Sequence, residues 1–355
     1  MESVFFLVGD AGDAQFGASP ILERLRQDVD WWSQRIEGDS AVVVAFLGDN
    51  VYPLGLHPRE SSEFSEDSLT LMAQVRVLAS PAALERANGY FMAGNHDWGL
   101  EEDWDGFERI AHLGDFLATA SATTGASVRL VPEAGTGGPF VVDVGKRVRL
   151  IVLDTAWWIL DGGQLGLESR PMVLSGVREA MESAGGRTVF IAAHHPFQSA
   201  GPHGGEVSFW STLGVRYLLD RSGAMLQDIT SVPYRELAGG LREIFADTGP
   251  PLLFAGGHEH SLQVFRGIEP PDPAFSTVSG SASKLSSVGD QPGMLFGRSA
   301  PGYMRIVVER DGGVTLFVEA APRDFLDCPV EVPARTPCMT EGVDAFEVVH
   351  SQRLN

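Results

Sequence analysis

Asp10, Asp49, Tyr52, Asn95, His194, His258 and His260 are all residue types that bind cations, and every one of them follows closely on a short apolar run. Val4 to Val8 leads into Gly9-Asp10-Ala11-Gly12, Ala41 to Leu47 into Gly48-Asp49-Asn50-Val51-Tyr52, and Tyr90 to Ala93 into Gly94-Asn95-His96-Asp97. Val189 to Ala193 leads into His194-His195-Pro196, and Leu252 to Ala255 into Gly256-Gly257-His258-Glu259-His260. A single Asp or His behind a strand is usually a turn or cap residue. Five such junctions in one chain point to a shared task. Hard oxygen donors and imidazoles without thiolate suit iron, zinc or manganese better than an iron–sulfur cluster or structural zinc. The set is too large for one ion. A carboxylate can bridge two, and two cations about 3.5–4 Å apart can clamp the attacking and leaving oxygens of an in-line phosphoryl displacement.

The positioning elements follow from the same runs. An apolar stretch rich in valine and bounded by Gly and Asp predicts a buried strand, and open α/β sheets place their chemistry beyond the carboxyl ends of such strands. Ser19-Pro20 opens a helical pattern to about Ile36, with Ser19 as cap and Pro20 in the first turn. The Asp49 strand follows, so the first two strands form a parallel β-α-β unit. Further helices are expected over Leu69 to Ala87, broken at Ser80-Pro81, over Glu101 to Leu117 with Trp104 and Phe107 inward, and over Pro171 to Ala184. Pro139 to Asp154 reads as a hairpin turning at Gly145-Lys146, and Tyr303 to Glu319 as another turning at Asp311-Gly312-Gly313. Phe275 to Ser279 is a short strand, followed by a Ser- and Gly-rich, mobile stretch from Gly280 to Gly297. Gly201 to Gly249 exceeds a simple crossover and holds its own helix, Pro233 to Ala246. It is an insertion near the site, either a lid facing substrate or a surface excursion. The tail from Ala321 shows little periodicity.

At 355 residues with 44% hydrophobic residues, the chain can bury a substantial core. A balance of 26 basic against 47 acidic residues, formally -21, argues against nucleic acid or an anionic membrane as the main partner. An anionic substrate then needs a locally positive site, which clustered cations supply. Cys328 and Cys338 could close a small loop in an oxidising compartment or stay free thiols in a reducing one. No apolar run is long enough to cross a bilayer. Met1-Glu2-Ser3 enters the first strand without a basic start or leader, so cytoplasmic placement or a mature exported form is expected.

The five blocks resemble the calcineurin-like metallophosphoesterase superfamily, and within it the bacterial type of the purple acid phosphatase branch, similar to the tartrate-resistant acid phosphatases. Most of the superfamily carries Asp-x-His in the first block, where this chain has Gly12. Purple acid phosphatases also lack that histidine and place a tyrosine three residues after the bridging Asp, here Tyr52. The resemblance implies an α/β four-layer sandwich, two mixed β-sheets flanked by helices with a dinuclear metal site at the strand-end loops. Residues 1–320 would form the catalytic domain, with the insertion at about 201–249, and 321–355 a tail packed on it or trailing. It implies a first metal held by Asp10, Asp49, Tyr52 and His260, with iron(III) expected beside the phenolate. A second, divalent iron, zinc or manganese, would be held by Asp49, Asn95, His194 and His258. Asp10 matches the family's ligand better than its neighbour Asp13. His96 would face substrate as a catalytic group with Asp97 behind it. His203, nine residues after His194, sits where the family has a substrate-facing histidine; an exposed loop histidine is the alternative. His195 is not expected to act, His57, His112 and His350 are expected at the surface, and Trp157-Trp158 in core or wall. The implied activity is metal-dependent hydrolysis of phosphate monoesters of small molecules, by in-line attack of a hydroxide held at the metals. A phosphodiesterase, nucleotidase or pyrophosphatase would share that centre, and a silent metal-binding scaffold would keep only the fold.

Overall fold

Fourteen strands carry the computed structural model, which describes residues 1–14, 19–38, 40–100, 106–133, 135–160, 168–204, 228–327 and 346–355. In chain order, β1 (Ser3–Val8) is followed by α1 (Pro20–Ser33), β2 (Ala41–Phe46), α2 (Phe64–Arg76), α3 (Pro81–Arg86), β3 (Ala87–Phe91), α4 (Gly106–Thr124) and β4 (Ser127–Leu130). The hairpin β5 (Phe140–Val144) and β6 (Val148–Val152) leads to α5 (Thr155–Ile159), α6 (Arg170–Glu182) and β7 (Thr188–Ala192). After α7 (Val232–Thr248) come β8 (Leu253–Gly256), β9 (Leu262–Arg266), β10 (Phe275–Ser279), β11 (Met294–Arg298), β12 (Gly302–Val308), β13 (Val314–Ala320) and β14 (Glu347–Arg353).

They form two sheets of seven, in the orders β14-β13-β12-β1-β2-β3-β4 and β11-β9-β10-β8-β7-β6-β5. Both are mixed: β1 to β4 run parallel in the first, and β6, β7, β8 and β10 run parallel in the second. Burial on both faces explains why these parallel strands read as unbroken apolar runs. In β1 all six residues are buried. Phe5 and Leu7 face the second sheet, where the Phe5 ring meets Phe190 of β7 edge to face at 5.3 Å between centroids. Val4, Phe6 and Val8 face the other way, onto Ile21, Leu22 and Leu25 of α1. Burying a side chain of this size contributes about 1.5–3 kcal/mol. The sandwich between the sheets and the helix layers outside them are the expected architecture.

Local signals held where capping chemistry is strong. Ser19 accepts from the Leu22 N–H with Pro20 in the first turn of α1, and Ser80 does the same for Ala83 ahead of Pro81, which separates α2 from α3. Differences arise where pairing partners are distant in sequence. The stretch from Gly280 to Gly297, read as mobile, is tied down by backbone hydrogen bonds from Gly280, Ala282 and Ser286, and β11 begins within it. β4, β11 and β14 are edge segments, short or partly exposed, and carry no clear pattern, and β9 is a short interior strand. Glu347–Arg353 of the tail pairs antiparallel with β13. Val144 pairs with Val148, so three residues rather than two turn the β5–β6 hairpin. The Glu101 to Leu117 helix is observed as α4, starting at Gly106 and extending to Thr124; Trp104 lies outside the described residues, as do Cys328, Cys338 and residues 205–227 of the insertion. Among the described residues, no helix is long and apolar enough to cross a membrane.

Candidate metal centre

The carboxyl ends of β1, β2, β3, β7 and β8 deliver all seven expected residues to one place. Their loops are laced together: Gly48 O accepts from Asp10 N at 3.0 Å, His194 O from Gly257 N at 2.8 Å, and Asp10 Oδ2 from His258 N at 2.8 Å. Asp10, Asp49 and His258 adopt left-handed backbone conformations, with φ of 60°, 55° and 67°. Such a conformation costs a non-glycine residue about 1–3 kcal/mol and clusters at functional sites. Here it turns each side chain back toward the centre.

The donor atoms fall into two sets. Tyr52 Oη lies 3.0 Å from Asp10 Oδ1, 3.0 Å from Asp49 Oδ2 and 3.2 Å from His260 Nε2, with His260 Nε2 3.5 Å from Asp10 Oδ1. In the second set, His194 Nε2 lies 2.9 Å from Asn95 Oδ1, 3.2 Å from His258 Nδ1 and 3.5 Å from Asp49 Oδ1. Asp49 therefore gives one oxygen to each set. An ion about 2.0–2.2 Å from its ligands spaces them about 2.9–3.6 Å apart, and the separations of 2.9–3.5 Å here lie in that band. The second set also shows why an ion fits. His194 Nδ1 donates to Leu47 O at 2.8 Å, which leaves the Nε2 lone pair of the neutral ring facing the Asn95 amide oxygen. Two lone pairs in that position repel unless a proton or a cation lies between them. His258 Nε2 is buried without a hydrogen-bond partner.

Electrostatics separate the two sets. Burial, reinforced by the Asp10 and Asp49 carboxylates, raises the Tyr52 phenol well above its ordinary pKa. Burial also disfavours the Asp49 anion, but His194 and His96 outweigh it and leave that pKa lowered. Burial disfavours the His194 cation, yet Asp49 and Asp10 hold its pKa above the usual value. His258 goes the other way: burial and then His195, His203 and His194 depress it well below normal, so its ring stays neutral.

Gly12 explains the missing first-block histidine. A Cβ there would stand 2.6 Å from Asp49 O and 2.7 Å from Val51 N, so no side chain fits without moving the Asp49 turn. The Tyr52 hydroxyl reaches the Asp10 and Asp49 carboxylates here. At Gly94 a Cβ would lie 2.2 Å from Asp49 Oδ1. Asp13 is exposed, which leaves Asp10, fully buried, as the inward carboxylate of this loop.

Around the two sets, His96 donates from Nδ1 to Pro53 O at 2.6 Å and turns Nε2 inward, 3.9 Å from Asp49 Oδ2, with about a quarter of its side chain exposed. The hydrogen bonds of Asp97 go to the loops: it accepts from the backbone N–H groups of Asn50 and Gly94 and from Asn50 Nδ2 at 2.8–3.2 Å. Burial, with the Asp49 charge added, pushes the Asp97 carboxyl up to about 7. His203 Nδ1 pairs with Asp228 Oδ1 at 2.6 Å, and its ring centroid lies 4.7 Å from that of His258. His195 is buried at 2.8 Å from Thr155 Oγ1 and packs beside His258. Trp157 and Trp158 are buried, and Trp158 Nε1 donates to Pro233 O of α7. His57 pairs with Asp67, while His112 and His350 are half-buried away from the centre. Groups able to hold an ion include Asp10-Asp49-His194, His194-His195-His258 and His203-Asp228-His258.

Two features went unread in the sequence. Asp154, at the end of β6, accepts from Trp98 Nε1 and Trp157 N behind the centre; burial outweighs those bonds and raises its carboxyl to about 7. A sixth loop, after β10, sets Lys284 Nζ 3.3 Å above the centroid of the Tyr52 ring. The one available signal was rarity, since Lys146 and Lys284 are the chain's two lysines.

A comparison with protein-family models and with curated proteins finds no match to this sequence. Solved structures do match. GAP50, described as the anchor in the inner membrane complex of Plasmodium, superposes with a TM-score of 0.57 at 14% identity, over 99% of this chain and 88% of that one. The purple acid phosphatase PPD1 isolated from yellow lupin (Lupinus luteus) seeds gives 0.58 at 15% identity, over 99% of this chain and 54% of the lupin chain. This chain spans about half the length of the lupin enzyme. The likeness is one of fold: an α/β sandwich of two mixed sheets, shared with a purple acid phosphatase, with residue clusters at its strand ends that could hold metal ions.

Proposed function

We propose that the protein is a dinuclear-metal phosphoesterase of the purple acid phosphatase type, acting on phosphate monoesters of small molecules. One observation carries this reading: seven donors from five loops converge in two sets that share the Asp49 carboxylate. Asp10, Asp49, Tyr52 and His260 would hold one ion, with iron(III) favoured by a phenolate among carboxylates. Asp49, Asn95, His194 and His258 would hold a divalent iron, zinc or manganese. Bound there, the ions supply Lewis acidity toward a phosphoryl oxygen and acidify water.

The chain's own groups do the rest. His96, fixed by Pro53 and outside both donor sets, can give a proton from Nε2 to the leaving oxygen. His203, paired with Asp228 and packed beside His258, would touch substrate on that side. Asp97 holds the Asn50 and Gly94 turns that carry Asp49 and Asn95.

The likeness to the Plasmodium anchor favours a second reading, a scaffold that kept the fold without turnover. One experiment separates the two. Protein loaded with defined metals should bind two ions per chain and hydrolyse an aryl phosphate monoester faster than a bis-aryl diester, ATP or pyrophosphate. Two bound ions with no turnover of any of these esters would favour the scaffold.

A further inference from the structure

Besides its carboxylates, Tyr52 has three charged or chargeable neighbours: His260 at its hydroxyl, His96 edge-on at 4.5 Å between centroids, and Lys284 over its face. Lys284 is not a loose surface lysine. Beyond β10 the chain passes Gly280, where a Cβ would come within 2.6 Å of Asp10 Oδ2, and the buried Ser281 and Ala282. Ala282 N donates to Gly9 O, the Ser283 hydroxyl to Asp10 O, and Ser286 N to His260 O at 2.7 Å. The loop is thus fastened to the Asp10 turn on one side and the His260 turn on the other. Lys284, half-buried, is carried between them.

A cation over an aromatic face gains about 0.5–2 kcal/mol, which accounts for where the ammonium rests, but among the described residues its three N–H donors meet no acceptor. Among the described residues no carboxylate pairs with it, in a chain with 47 acidic residues. A half-buried lysine beside the oxygen-rich donor set, on a loop fastened at both sides, matches an incoming anion. We propose that Lys284 binds the dianionic phosphoryl group of the substrate, so that the site prefers monoesters to diesters. This rests on the phosphoesterase reading above. A monoester offers unsubstituted oxygens carrying two charges, whereas a diester has one charge and one oxygen fewer to give.

The test uses metal-loaded full-length protein and inorganic phosphate as the probe. Lys284→Met keeps the stem and its packing on Tyr52 while removing the charge. By calorimetry it should bind phosphate about tenfold or more weakly, as expected for loss of a charged hydrogen bond. kcat/KM for an aryl phosphate should fall by a similar factor, and for a bis-aryl diester by much less, with metal content and Tm unchanged. Lys284→Arg should recover part of the phosphate affinity. Unchanged phosphate affinity and an unchanged monoester-to-diester ratio in Lys284→Met would overturn the inference and leave the phosphoesterase reading standing. Loss of metal from Lys284→Met, not recovered in Lys284→Arg, would also overturn it, assigning the lysine to support of Tyr52. If the wild type neither binds phosphate nor hydrolyses either ester, both readings fall together.

Discussion

Around Tyr52, two carboxylates crowd a phenol; around His258, the imidazoles of His195, His203 and His194 crowd another imidazole. Both halves of the centre arise from loops at parallel strand ends and both use left-handed turns; the nitrogen-rich half is buried, whereas Tyr52 and His260 of the other are half-buried. Their electrostatics are opposite. The oxygen-rich half raises the phenol pKa, so Tyr52 stays protonated until a cation displaces the proton. The nitrogen-rich half keeps His258 neutral and ready to bind. Under the proposed function, a site that concentrates negative charge beside one that does not would suit two unlike ions, the harder and more highly charged on the Tyr52 side.

Asp49 belongs to both halves, so its removal is the most severe way to break the comparison. Asp49→Ala should lose both ions, and hydrolysis should fall by about 10³-fold or more, as when a main stabiliser of transition-state charge is deleted. Metal analysis and turnover on the purified variant check this; retention of both ions would mean that the halves do not share a ligand. His96 belongs to neither half. His96→Ala should keep both ions while kcat drops by about 10²-fold, the scale of general acid–base assistance. Co-loss of metal would move His96 into the Tyr52 set.

A smaller effect sharpens the contrast from behind the nitrogen-rich half. Asp154, bonded to Trp98 and Trp157, has a carboxyl pKa of about 7 against an ordinary 3.8 because burial disfavours its anion. The folded chain keeps a proton there that the unfolded chain has already lost. Its contribution is therefore fully present below pH about 4 and is lost as pH rises through about 7. In metal-free protein, the unfolding free energy of wild type relative to Asp154→Asn should decline by a few kcal/mol from pH 4 to 8. A difference independent of pH would show that Asp154 is ionised throughout.

The sequence made the front of the molecule legible and left its supports obscure, for a physical reason. Asp10, Asp49, Asn95, His194 and His258 follow apolar runs directly, so strand and donor are read together. Lys284 and Asp154 also stand at strand ends, but their meaning lies in partners far along the chain: Tyr52 and the Asp10 turn for one, Trp98 for the other. Likewise β11 and β14 exist through pairing with distant segments, which local periodicity cannot reveal. Gly12 could be noted as a departure, but only the 2.6 Å approach to Asp49 O shows why nothing larger fits.

The most direct test of two unlike halves is the visible absorption of iron-loaded, oxidised protein and of Tyr52→Phe. If Tyr52 binds as a phenolate in the oxygen-rich set, the wild type should be violet from phenolate-to-iron(III) charge transfer. Tyr52→Phe, which keeps the ring under Lys284, should be colourless in that region while the His194–His258 set still holds its ion. A wild type without the band, or a band that survives in Tyr52→Phe, would contradict the assignment of Tyr52 to the metal.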